Sequence, residues 1–406
     1  MALGQLLQIR KKEDKPEETI GTKRLIIATC EKGEVEDIES MRKIKSGLDR
    51  FKQEFPNLAA KAAKDIWRAQ KPPVVADKTE DVGLELVPEN LELPPNLVEH
   101  EGKVGGFLKR INRSEKVASL LGKAAQVADK LPGKLPVSAI VSQRAQAALE
   151  VRTRRIEMIE RREKLRIGIP RVLNQYSQNP FFSAYFEALG VPARNIVYSD
   201  FTSEELYKEG AKRGAIDPCF PSKVCIAHMH NLLEVKHKRR ALDLIVFPQV
   251  DSMESWLTGS VGHRACPTVV GSADTTKAAF TKEEDIFAKK GTKLLVPFVQ
   301  MAERKLCEHQ MFTYFKEDLG LSEEENRRAV DEGFKAQDWF FENHRNDGRA
   351  IIEELEREQR IGVVLLARPY HNDPGMCHEI PDELQKLGYP VLTVQSLPLD
   401  RDIVDP

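Results

Sequence analysis

The feature that most constrains this chain is a plan that occurs twice. Leu165-Arg166-Ile167-Gly168-Ile169-Pro170 is a short β-branched run, followed by a loop from Arg171 to Pro180. An aromatic-rich helix is predicted from Phe181 to Leu189, Gly190 ends it, and Ile196-Val197-Tyr198 reads as the next strand. Near the C-terminus the same order returns. Ile361-Gly362-Val363-Val364-Leu365-Leu366-Ala367 is the strand, Arg368-Pro369-Tyr370-His371 the loop, Pro381 to Leu387 the helix ended by Gly388, and Pro390 to Val394 the returning strand. Between them, Leu242-Asp243-Leu244-Ile245-Val246-Phe247-Pro248 is a continuous apolar run of the kind buried on both faces. Strands alternating with helices imply a mostly parallel sheet.

The expected fold is therefore α/β, with two related Rossmann-like lobes and a helical region before them. The second lobe is read as truncated. Residues 1–70 read as an N-terminal helical docking segment and 71–103 as a proline- and acid-rich linker. Residues 104–164 read as a helical, charged segment and 165–320 as the first lobe; connecting helices over 321–360 lead to the second lobe at 361–406. Ser322 with Glu325 predicts a capping box. After Pro56-Asn57, a helix is expected to place Leu58, Ala62, Ile66 and Trp67 on one side.

Composition narrows the function classes. Hydrophobic residues make up 41% and charged residues 31%, enough for a core beneath a highly charged surface, and the net charge of −1 gives no argument for nucleic acid or an anionic membrane. The arginines from Arg152 to Arg166 alternate with Glu150, Glu157, Glu160 and Glu163, as in a salt-bridged, solvated helix. No apolar run reaches the roughly 20 residues of a spanning helix, and the N-terminus has no signal pattern, so a cytoplasmic protein is expected. Cysteines 30, 219, 225, 266, 307 and 377 are too scattered for a disulfide scaffold, and no CxxC encodes a zinc ribbon.

Three segments are expected at the carboxyl ends of strands, where open α/β sheets bind ligands. The first runs from Asp217 to Asn231 and holds Cys219, Lys223, Cys225, His228 and His230. Pro221 suits a first helical turn, so Cys219 is expected near the N-cap, a place that favours thiolates. Cys225 and Met229, four apart, read as the buried stripe of that helix, with metal ligation the alternative for Cys225. The second segment runs from Pro248 to Glu254 and on to His263, Arg264, Cys266 and Pro267. The third holds Arg368, Tyr370, His371, Asp373, Cys377 and His378. For His371 and His378 a ligand site stands against a loop histidine satisfied by backbone groups. No Walker loop, GxGxxG, HExxH or GxSxG occurs, so the chain is not expected to hydrolyse ATP or bind a dinucleotide by itself.

Taken together, Cys219-Phe220-Pro221-Ser222-Lys223 with His228, His263 with Cys266-Pro267, and Arg368-Pro369-Tyr370-His371 with Asp373-Pro374, His378 and Ile380-Pro381 resemble the uncharacterised domain of acyl-CoA dehydratase activase-related proteins. Those proteins are relatives of the 2-hydroxyglutaryl-CoA dehydratase and benzoyl-CoA reductase systems. Ala28-Thr29-Cys30-Glu31-Lys32-Gly33 resembles a segment that precedes this domain. The resemblance implies anaerobic metabolism, in which an activase subunit with a nucleotide-binding domain passes low-potential electrons to an iron–sulfur partner acting on CoA thioesters. It implies an accessory module that binds a [4Fe–4S] cluster through Cys219 and Cys266, with Cys225 or others, and relays electrons. The alternatives are a cluster-free scaffold or acyl-CoA-binding subunit that docks an activase, in which Lys223, Arg368 and His371 meet ligand phosphates, and a gene fragment without a function of its own.

Overall fold

The computed structural model describes residues 6–8, 24–26, 46–47, 49–71, 157–214, 219–255 and 264–399. Cys30, Asp217, His263 and the predicted segments at 72–156 lie outside the described residues. The short strands Leu6–Gln8 and Arg24–Ile26 pair antiparallel. The chain divides into two compact units, Asp65–Glu342 and Met1–Lys64 with Asn343–Pro406. Apart from that antiparallel pair, the described strands of both units pair in parallel, as the alternating runs require.

In the larger unit, four parallel strands stand in the order Ile196–Tyr198, Ile167–Ile169, Leu244–Val246, Lys293–Leu295. Ile167, Ile169, Ile245 and Val246 are fully buried, which explains why these strands lack polar alternation. The two strands Leu244–Val246 and Lys293–Leu295 meet Pro248 and Pro297 at matching levels and then resume as Gln249–Ser252 and Phe298–Gln300. A proline deletes one ladder donor but not its acceptor. Phe247 N–H donates to the Leu295 carbonyl at 2.9 Å and Gln249 N–H to the Pro297 carbonyl at 2.8 Å, so the ladder carries across the break. The segment after Pro248, expected to lie beyond a strand's carboxyl end, is itself strand over Gln249–Ser252.

The helix after the first strand also differs from expectation. It runs Gln175–Ala188 and contains Pro180. Proline cannot donate, and its ring opens the preceding turn. The Gln337 carboxamide fills the opening, donating to the Ser177 carbonyl at 2.5 Å and accepting from the Phe181 N–H at 3.2 Å. Beyond this repair Phe181, Phe182, Tyr185 and Phe186 are fully buried and pack with Phe315 and Phe334. Gly190, at φ 95°, turns the chain away from the helix.

Arg162, read as part of a solvated basic run, is instead buried. It donates to the Leu189 carbonyl at 3.1 Å and pairs with Glu325 at 3.1 Å. Glu325 also closes the expected capping box with Ser322 at the start of the helix Glu323–Glu358.

In the smaller unit, Val363–Leu365 and Val391–Thr393 form a parallel pair. Leu58, Ile351, Leu355 and Leu392 make its core. The helix Leu58–Asp65 begins where predicted, with Asn57 Oδ1 accepting the Ala60 N–H at 3.0 Å. Val391 N–H donates to the Pro56 carbonyl at 2.8 Å, so one edge of this sheet is covered by the chain itself. Gly348 lets the long helix approach the turn Val394–Ser396: a Cβ there would stand 1.8 Å from the Ser396 carbonyl oxygen.

Candidate functional site

Two helices of the larger unit begin in the same way. Cys219 is the N-cap of Phe220–Asn231 with Pro221 in the first turn, and Cys266 is the N-cap of Pro267–Thr281 with Pro267 leading it. Both helices run back towards strand amino ends, so their N-termini lie on the carboxyl side of the sheet. The buried Ser222 and Ser272 hydroxyls join them at 2.9 Å. Cys219 is half-buried and Cys266 exposed; no described cysteine forms a disulfide. Cys225 is fully buried, and its thiol donates to the Pro221 carbonyl at 3.4 Å. With Met229 also fully buried, its spacing reports packing. Lys223 is half-buried on the first turn.

The strand end at Asp251 holds the Cys266 segment in place. The Ala265 N–H donates to the Asp251 carbonyl at 2.6 Å, and Arg264 Nη1 reaches the Asp251 carboxylate at 3.0 and 3.3 Å. Gln300 Nε2 adds a third donor at 3.2 Å. An aspartate at the end of a buried strand thus anchors the turn that presents Cys266.

A second constellation follows the two short strands. The Arg171 guanidinium lies 4.2 Å from the Phe201 ring centroid, 5.2 Å from Trp67 and 5.5 Å from Tyr198. Its backbone N–H donates to Ser199 Oγ at 2.8 Å. That hydroxyl meets His228 Nδ1 at 2.7 Å, and Thr202 Oγ1 meets Nε2 at 3.0 Å. Burial, with the Arg171 charge behind it, pushes the His228 pKa down to about 3, so this imidazole is neutral and structural. Leu173, buried two residues on, holds φ at 48°, a costly geometry for a branched side chain. Reasoning from the sequence missed Arg171. The signal was the repeat itself, since arginine and proline follow the first strand in both lobes, as Pro170-Arg171 and Arg368-Pro369.

In the smaller unit, Arg368 is exposed and begins the turn Pro369–Asn372. His371 Nδ1 lies 3.3 Å from the Arg368 carbonyl, the backbone contact weighed against a ligand role. The Asp373 side chain is fully buried and accepts the Gly375 and Met376 N–H groups at 2.8 and 3.1 Å. It shapes the loop. His378 and Glu379 are successive left-handed residues at φ 51° and 59°, leading into the helix Ile380–Lys386.

Among the described residues, no group of three or more His, Cys, Asp or Glu side chains is placed to hold a metal ion. A [4Fe–4S] cluster asks for three or four thiolates, so the described residues do not complete such a site. No described helix is long and apolar enough to cross a membrane.

What the described residues define is an α/β protein with mostly parallel sheets. The chain belongs to the family described as CoA enzyme activase uncharacterised domain, which it matches over residues 166–397, more than half its length. Comparison with curated proteins gives no match, and comparison with solved structures gives none.

Proposed function

We propose that this chain is an accessory module of a CoA enzyme activase system that docks an activase subunit carrying the nucleotide-binding domain. The observation that supports this is apolar exposure concentrated in one stretch of the sequence. Of the eleven exposed large hydrophobic residues among the described ones, seven fall between Ile361 and Val394. Soluble chains rarely leave such residues gathered in one segment unless something covers them. Titration calorimetry with a nucleotide-binding CoA enzyme activase subunit of the same source tests the reading. Saturable binding that Leu366→Lys weakens is expected; no heat of binding counts against it. Acyl-CoA is proposed as a ligand whose phosphates meet Lys223, or Arg368 with His371. Thermal stabilisation by CoA esters tests this, and none at about millimolar ligand removes it.

A second reading rests on the paired helix starts. Cys219 and Cys266 would supply two thiolates of an iron–sulfur cluster used to relay electrons, with the remaining ligands from outside the described residues. Anaerobic purification with iron analysis tests it. Iron lost from both Cys219→Ser and Cys266→Ser supports the reading, whereas an iron-free native preparation ends it.

A further inference from the structure

The helix that Cys219 caps does not end as it begins. Phe220–Asn231 is α-helical, Leu232–Lys236 is a π turn, and His237–Arg239 is α-helical again. The backbone bonds count the difference. Leu232 N–H reaches back four residues to the His228 carbonyl, and Arg240 N–H four residues to the Lys236 carbonyl at 3.1 Å. Between them, His237 N–H reaches back five, to the Leu232 carbonyl. The turn therefore holds one residue more than an α-helix would. Such turns are rare and frequently mark functional sites. Leu232 and Leu233 are fully buried, whereas Val235 is 49% exposed, so the surplus is carried on the outside.

Both ends of the turn are fixed. Upstream, His228 is held by the Ser199 and Thr202 hydroxyls. Downstream, His237 Nδ1 accepts the Leu242 N–H at 3.1 Å, just before the strand Leu244–Val246. Asp200 lies opposite the turn itself. Asn231 Oδ1 accepts the Asp200 N–H and Asn231 Nδ2 donates to Asp200 Oδ2, both at 3.0 Å, and Lys236 Nζ donates to Asp200 Oδ1. On an α-helix, residues five apart point about 140° away from each other around the axis. With one residue taken up by the wider turn, Asn231 and Lys236 stand as residues four apart would, at about 40°, and share a face.

We infer that Leu232–Lys236 is a register latch, in which Asp200 keeps the surplus residue in that turn by gripping Asn231 and Lys236. With the carboxylate removed, the surplus moves along the helix and the loop Ser199–Thr202 loosens. Closed, the latch sets His228, Asn231 and Lys236 on one stripe that holds Ser199, Asp200 and Thr202 together. That loop places Phe201 against the Arg171 guanidinium at 4.2 Å. The latch thus joins the helix that starts at Cys219 to the ring stack around Arg171. The Asp200 side chain is 55% exposed, so the latch is open to solvent.

The test uses the full chain in four forms: native, Asp200→Ala, a deletion of Val235, and the two changes together. Deleting a residue from a helix anchored at both ends ordinarily turns one end by about 100°. Deleting Val235 should instead leave a continuous α-helix with its grip on Asp200 intact, and shift the urea midpoint by less than about 0.3 M. Amide exchange followed by NMR reads the latch. Asp200→Ala should speed exchange over Glu234 to His237 roughly tenfold or more while Val235 is present, and less than about threefold once it is deleted, because no surplus residue remains to move. The Arg171 side-chain protons, shifted upfield by the rings, should move towards random-coil positions under the same condition only. Equal effects of Asp200→Ala in both backgrounds would reduce Asp200 to an ordinary ion-pair partner and overturn the inference. So would exchange or Arg171 shifts that Asp200→Ala leaves unchanged. If deletion of Val235 abolishes folding, deletion of Glu234 removes the surplus from the neighbouring position; failure of both means that the turn carries no surplus residue, which also overturns the inference.

Discussion

Acidification should destabilise the larger unit through His228. The imidazole is fully buried between Ser199 and Thr202, and its pKa is held at about 3 against an ordinary 6.5. The unfolded chain therefore binds a proton at His228 near pH 6.5, while the folded chain refuses it until near pH 3. The stability this group contributes is fully present above pH 6.5 and falls as pH drops towards 3. Within that window the loss is about 1.4 kcal/mol per pH unit, so about 1.4 kcal/mol at about pH 5.5 and close to 3 kcal/mol at about pH 4.5. Carboxylates also titrate there, so the assay is a difference between native protein and His228→Gln, each unfolded in urea from about pH 8 to about pH 5. Near pH 8 the variant should be less stable by about 1–3 kcal/mol, having lost a hydrogen bond at a buried site. The gap should narrow by about 1.4 kcal/mol per unit below pH 6.5. A gap constant over the whole range would refute the neutral, buried state assigned to His228.

Three further outcomes follow from the packing. Gly348→Ala should unfold the smaller unit or cost several kcal/mol by urea titration, because its Cβ would meet the Ser396 carbonyl oxygen and carbon at 1.8 and 2.8 Å, and backbone cannot swing aside. Gln337→Leu should cost roughly 1–3 kcal/mol for each of the two backbone groups it orphans at the Pro180 break, whereas Gln337→Glu should cost less at low pH, where the protonated acid still donates. Arg162→Ala should cost roughly 3–5 kcal/mol by leaving Glu325 without its buried partner, and adding Glu325→Gln should recover part of the loss, which a double-mutant cycle measures.

Much of the frame could be read from local pattern. The runs Ile167–Ile169, Leu244–Val246 and Val363–Leu365 are rich in β-branched residues and lack polar alternation, and each became a parallel strand. Ser322 with Glu325, and Asn57 before Leu58, marked helix starts that the structure has. The misreadings share one cause, a local rule overridden by a partner remote in sequence. Pro180 looked like a helix start because nothing near it shows that Gln337 would repair the turn it opens. Pro248 looked like a strand end because the matching Pro297 lies on another strand. Arg162 looked solvated because its carboxylate partner is Glu325. At the candidate site, Pro221 announced the helix cap at Cys219, whereas the cap at Cys266 was not read from the sequence. The Ser222–Ser272 contact that joins those helices leaves no trace in either segment alone. Arg171 escaped notice because its ring partners come from two segments remote from it in sequence, Trp67 in one and Tyr198 with Phe201 in the other.

The most direct test of the docking role is amide hydrogen exchange over Ile361 to Leu366, with and without the nucleotide-binding activase subunit. The account predicts rapid exchange at Val364 in the chain alone and marked slowing there when the subunit is bound. Exchange at Val364 that stays unchanged while the subunit binds elsewhere would contradict it.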